Sequence, residues 1–265
     1  MSTLTSPASG AHLTAAGVLR SEWIKLRSVR SPFWSYAIAI LVTVGFAALL
    51  SISFGPEPVI DTSDSARGLA NIATIGVQFT QIVVAVLGVL VITGEYSTGM
   101  IRSTLTAVPG RLGALAGKAV VLFVSTFIVA VVASVLAFTV SSVILASEGV
   151  SASLLDPDVL LPILGGALYL GLLALFALGV GTIVRSGAGG IAAVLGILLL
   201  LPTLLAVLPF DWAADLAPFL FGNAGINFWH PEFSDFSVGQ NLAITIAWVV
   251  VTLGIGALLL KRRDA

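Results

Sequence analysis

The stretch Ala119-VVLFVSTFIVAVVASVLAFTVSSVIL-Ala146 decides how the rest of the chain is read. It holds no charged residue, and its only polar side chains are those of Ser and Thr. A bilayer core about 30 Å thick is crossed by roughly 20 residues at 1.5 Å rise each, so the segment is long enough to span. Five further uncharged runs share this character: Phe33 to Phe54, Ile72 to Thr93, Val159 to Val184, Ala188 to Pro209 and Val238 to Leu260. In lipid every backbone polar group must be bonded within its own segment, and these continuous Leu/Val/Ala-rich runs lack the alternation of barrel strands. The expected fold is therefore an all-α integral membrane protein, with six transmembrane helices in one domain over residues 33–260.

The whole chain agrees with that reading. Of its 265 residues 58% are apolar and 9% charged, with a mean hydropathy of +1.10; water-soluble domains hold about 45–50% and about 25%. A net charge of -1 offers no basic field for nucleic acid. With no Cys there is no disulfide, thiolate metal site or thiol nucleophile. The first run follows 32 mostly polar residues and exceeds the 7–15-residue core of a cleaved signal, so it reads as a retained anchor.

Loop charges set the expected orientation. With both termini cytoplasmic, the inner segments hold Arg20, Lys25, Arg27, Arg30, Arg102, Arg111, Lys118, Arg185, Lys261, Arg262 and Arg263, leaving only Arg67 of the twelve basic residues outside. This satisfies the positive-inside rule in every loop. Residues 261–265 form a basic inner tail.

The spans hold no titratable group at depth, which ion-coupled carriers and proton pumps require. Gln78 and Gln81 lie three apart on one helix face. They are candidates for a substrate path, with interhelical hydrogen bonding as the plainer role. His12 and His230 are the only histidines, so no paired-His metal site can be assembled. Neither a G-x-S-x-G elbow nor a phosphate-binding loop is present. The chain reads as a non-enzyme, and any ATP chemistry belongs to another polypeptide.

Two inner elements carry pattern. In residues 1–32, the stretch Leu13 to Arg30 places Ala16, Leu19, Trp23 and Leu26 at three- and four-residue intervals, with Ser21, Lys25 and Ser28 opposite. This predicts an interfacial helix, broken at Ser31-Pro32 before the first span. The loop of residues 94–118 contains G-E-Y-S-T-G-M-I-R-S-T-L-T-A-V-P-G-R, in which Ser97 or Thr98 caps a short helix and Pro109-Gly110 stops it. Met100, Ile101, Leu105 and Val108 share one side, suited to docking a partner. Glu95, the only acid of that loop, is expected to pair with Arg102, with Arg111, or with a base of the interfacial helix.

S-E-W-I-K-L-R-S-V-R-S-P from Ser21, the loop after the second span and the six spans together resemble the membrane subunit of type-2 ATP-binding-cassette exporters, particularly the actinobacterial permeases. The specific part of the resemblance is confined to Glu22–Pro32 and Gly94–Lys118. Met100 departs from it, since the family usually has Thr there. The resemblance implies a coupling helix over Thr98 to Thr106 seated in a separate cytoplasmic ATPase. Glu95, Tyr96, Thr98, Met100, Ile101, Arg102, Thr104 and Leu105 would make that contact. It also implies an elbow helix using Leu19, Glu22, Trp23, Lys25, Leu26 and Arg27 along the lipid. A second permease subunit, identical or sister, would complete the path in a bacterial plasma membrane. No cofactor is expected on this chain, ATP and Mg being bound by the partner. The uncharged spans suit a hydrophobic or amphipathic cargo such as a drug, peptide or lipid. The aromatic-rich outer loop Phe210 to Ser237 corresponds by resemblance to re-entrant helices capping the path, or is ordinary interfacial packing. Two other classes stay open: an autonomous channel or carrier, and a non-transporting membrane anchor for a cytoplasmic partner.

Overall fold

The computed structural model describes residues 14–54, 65–100, 111–231 and 234–262. It is helical throughout its long elements, six of which have the length and composition to cross a membrane. Helix α1 is Ala15–Ser28, opened by Thr14, whose hydroxyl accepts the Gly17 N–H. The chain turns at Val29, which is extended, and the first span α2 is Arg30–Phe54. This corrects the expected break at Ser31-Pro32. Pro32 sits in the first turn of α2, where its missing N–H has no helical partner to lose.

The second span is two helices, α3 (Ser65–Ile75) and α4 (Val77–Ser97), meeting at Gly76. A Cβ on Gly76 would stand 2.5 Å from the Thr43 Cα, so only glycine lets α2 cross at this point. Just beyond, the Thr43 and Thr80 hydroxyls bond each other at 2.8 Å, and both reach the Ala39 carbonyl. Interhelical bonds of this kind average about 0.6 kcal/mol in a bilayer, and Thr80→Val is expected to remove about that much. Unfolding in mixed micelles measures it.

The third span is α5 (Arg111–Leu145) and the fourth α6 (Pro157–Val184), capped by the Asp156 carboxylate. Helix α6 is the axis of the bundle, packing against α3, α4, α5 and the last span, α11 (Val238–Arg262). Helices in lipid gain nothing from burying apolar surface against one another, so close approach through small residues carries the packing. Gly88 of α4 lies on the Ala174 carbonyl of α6, where a Cβ would come within 2.7 Å. Gly179 of α6 faces Thr252 of α11, and Gly256 of α11 faces Thr182 in return.

The fifth span is interrupted. Helix α7 (Gly187–Leu195) gives way to a π turn, Gly196–Leu200, before α8 (Leu201–Val207). Pro202 has no N–H for the Leu198 carbonyl and its ring collides with it, so the turn beneath widens. The chain then re-enters the bundle through α9 (Asp211–Leu216) and α10 (Phe221–Asn227). Phe221 is fully buried and stacks on Phe176 at 4.5 Å, Gly222 rests against Leu198, and Trp248 Nε1 donates to the Phe219 carbonyl. At 1.5 Å per residue, Phe176 lies about 12 Å from the α6 end at Val184, and Leu198 about 17 Å from the α7 start. The tip of this segment therefore reaches the middle of a core about 30 Å thick.

Candidate functional site

One end of the bundle gathers the basic termini: the start of α2, the end of α4, the start of α5, the end of α6 and Lys261–Arg262 of α11. Here Gly117 of α5 does for α1 what Gly88 does for α4. A Cβ on it would stand 2.7 Å from Val18 Cγ1, so α1 lies directly on the α5 backbone. That contact brings Glu22, one turn beyond Val18, over Lys118, the residue after Gly117.

Four charges close into a ring. Lys118 Nζ donates to Glu22 Oε2 at 2.7 Å and to Glu95 Oε1 at 2.8 Å. Lys25 Nζ donates to Glu22 Oε1 at 2.7 Å and to Glu95 Oε1 at 3.2 Å. Glu22, Glu95 and Lys118 are 4%, 3% and 5% exposed. Charges this deeply buried persist only when paired, and two acids against two bases leave the ring neutral. It draws on three elements: α1 supplies Glu22 and Lys25, α4 supplies Glu95 and α5 supplies Lys118.

Burial of Lys25 lowers its pKa, but the Glu22 hydrogen bond and the Glu95 and Glu22 charges outweigh it, so the net shift is upward from 10.5. A raised lysine pKa contributes stability that is complete below the unfolded value, about 10.4, and is lost as pH climbs through the folded one. The prediction is a melting temperature in which Lys25→Met changes nothing of the slope between pH 7 and 9. Above about 10.5 the native chain loses stability more steeply than the variant.

A fourth element joins beside the ring. Arg185 ends α6 in the left-handed region, φ 59°, and its Cζ sits 5.2 Å from the Tyr96 ring centroid. The pair spans the ends of α4 and α6. Arg185 Nε and Nη2, and Glu95 Oε2, have no hydrogen-bond partner among the described residues.

The remaining expected positions fall as follows. On α1 the protein-facing side is Val18, Glu22, Lys25 and Leu26, while Leu19, Trp23 and Arg27 are exposed. Lys25, expected on the face opposite Leu26, instead joins the buried side. Thr98 caps the end of α4, its hydroxyl bonding back to the Gly94 carbonyl, and Gly99 turns the chain with φ 72° before Met100. Ile101, Arg102, Thr104 and Leu105 lie outside the described residues, as does the side chain of Arg111. Glu95 pairs with the α1 base Lys25, one of the expected alternatives, and with Lys118, which was not among them. The signal for Lys118 was present: it is the single charge directly before the longest uncharged run. Gln81 accepts a 2.6 Å bond from the Tyr169 hydroxyl, both side chains being buried, and donates to Gln78 at 3.4 Å.

The sequence matches the model of the family described as ABC-2 family transporter protein over residues 18–201, from within α1 to the start of α8. No curated protein matches the chain.

Proposed function

The chain belongs to the ABC-2 family of transporter proteins, and from that membership we propose that it is the permease subunit of an ATP-driven exporter. Both termini and the basic end of the bundle face the cytoplasm of a bacterium. The work enters from a separate ATPase that binds ATP and Mg, through the connection between α4 and α5. A second permease subunit completes the path, and the cargo is hydrophobic or amphipathic.

The observation that carries this reading is the position of the ring. Glu95 lies three residues before the connection begins at Thr98, and Lys118 lies in the second turn of the helix that follows it. A push on the connection is delivered to α1, α4 and α5 together, because the ring holds all three. Met100 is the exposed apolar residue at the head of that connection.

Three measurements test the proposal. Met100→Glu, with an unchanged melting temperature, is expected to lower co-purification of the ATPase and ATP-driven export at least tenfold. Retention of both overturns the docking role. The second exploits the absence of cysteine. A Cβ on Gly117 would lie 3.8 Å from Val18 Cβ, the spacing of a disulfide. The V18C/G117C pair is expected to oxidise and retain at least half of export, because α1 and α5 move as one body. Loss of export on oxidation, restored by reductant, defeats that transmission scheme. Solute flux from the chain alone, without ATP, defeats the permease assignment itself.

A further inference from the structure

Beside the ring lies a cavity of about 210 Å³ between α1, the start of α2, α4 and α5. Its walls are Leu26, Val29, Leu87, Leu90, Val91 and Leu122, and the charged ring closes one end. The apolar walls are left without contacts on one side, and water finds partners only toward the ring and the Ser31, Ser97 and Thr98 hydroxyls, not along those walls. The space is large enough to admit part of one hydrocarbon chain. It is not sealed, since its wall residues Val29 and Met100 are themselves exposed.

Its surroundings specify what enters. Trp23, Ile24, Phe33 and Trp34 are exposed on the two helices that meet at Val29, as befits a surface in contact with lipid at the membrane boundary. Interleaved with the rim residues Leu26, Val29 and Ser31 are Arg27 and Arg30, both exposed and without an ion pair among the described residues. Arg presents a planar fork of donors matched to phosphate. An oily slot next to a helix junction that carries two exposed guanidinium groups, each adjacent in sequence to residues lining the slot, has the polarity of a phospholipid.

We propose that this cavity binds one acyl chain of an anionic phospholipid from the adjacent leaflet, its phosphate held by Arg27 and Arg30. The lipid lies in the angle between α1 and α2, directly beneath the ring. It braces the joint that the turn at Val29 leaves hollow. The site is separate from any cargo path and does not depend on which compound is moved.

The test uses the full chain in vesicles of about three parts phosphatidylcholine to one part phosphatidylglycerol. Trace phosphatidylglycerol or phosphatidylcholine, with a diazirine in the acyl chain, is activated by light. Adducts are then mapped by peptide mass spectrometry. The expected result is labelling of residues 87–91 several-fold above that at Leu41, a lipid-exposed residue of α2 serving as internal reference, and at least threefold stronger from phosphatidylglycerol. Val91→Phe, or Leu26→Trp entering from the other wall should the first misfold, is expected to abolish the excess while leaving Leu41 labelled. The pair R27Q/R30Q is expected to equalise the two lipids. Labelling at 87–91 no higher than at Leu41, or excess labelling that survives both filling variants, overturns the site. Equal labelling by the two lipids in the native chain overturns the anionic assignment.

Discussion

Lys118→Met is expected to destabilise the chain by about 3–5 kcal/mol, the usual consequence of removing one partner from a buried ion pair. The methionine fills much the same space, so little of the loss is packing. What remains is Glu22 and Glu95 sharing Lys25, with one buried negative charge in excess. That excess makes the prediction specific, because the loss is expected to follow the charge balance of the cluster and not the space that the side chain fills. K118M/E95Q, which restores neutrality around the Glu22–Lys25 pair, is expected to recover more than half of the loss. A single variant as stable as the native chain, or a double variant worse than the single, would remove the ring from the account of stability.

The second large effect is expected at Gly225, in the re-entrant helix α10. A Cβ there would stand 2.3 Å from Tyr169 Cε2 and 2.6 Å from Cδ2. The ring cannot retreat: Tyr169 is fully buried, its hydroxyl is tied to Gln81 at 2.6 Å, and Phe221 packs beside it. Even Gly225→Ala must either break that bond or push α10 off α6. Overpacking of a filled core costs about 1–3 kcal/mol, and a buried amide oxygen left unpaired adds about 1–3 kcal/mol. The expected total is about 2–5 kcal/mol, read from unfolding in mixed micelles. Tyr169→Ala opens the space that Gly225→Ala needs, so the double variant should be less destabilised than the sum of the singles. Additive losses would mean that the two residues do not meet.

The six spans were legible because lipid imposes a length and a polarity that few other structures share. The helices overrun the uncharged runs at both ends: α5 begins at Arg111, eight residues before Ala119, and the second span begins at Ser65 rather than Ile72. Charge marks where lipid begins, and a helix continues past that point as long as its backbone bonds can be made. The helix α1 was legible from its period, but which side faces the protein was not. Its protein side is built on Val18 and Glu22, so the buried stripe is as polar as the exposed one. Hydrophobic periodicity cannot identify a face whose burial depends on pairing with residues some 70 to 96 positions away. The interruption of the fifth span left a trace in Pro202. The depth reached by α10 left none, since it rests on the contacts of Phe221, Gly222 and Gly225 with helices distant in sequence.

The neutrality of the ring has a bearing on how an assembly built on this chain would be handled at the bench. Ions at 1 M shorten the reach of exposed charge to about 3 Å, yet they screen far less a balanced cluster in which Glu22, Glu95 and Lys118 are buried. A strong salt wash should therefore loosen anything held by the surface guanidiniums of Arg20, Arg27 and Arg30. It should leave α1 fixed to the bundle, and protection of its amides from hydrogen exchange would be the same in brine as in dilute buffer.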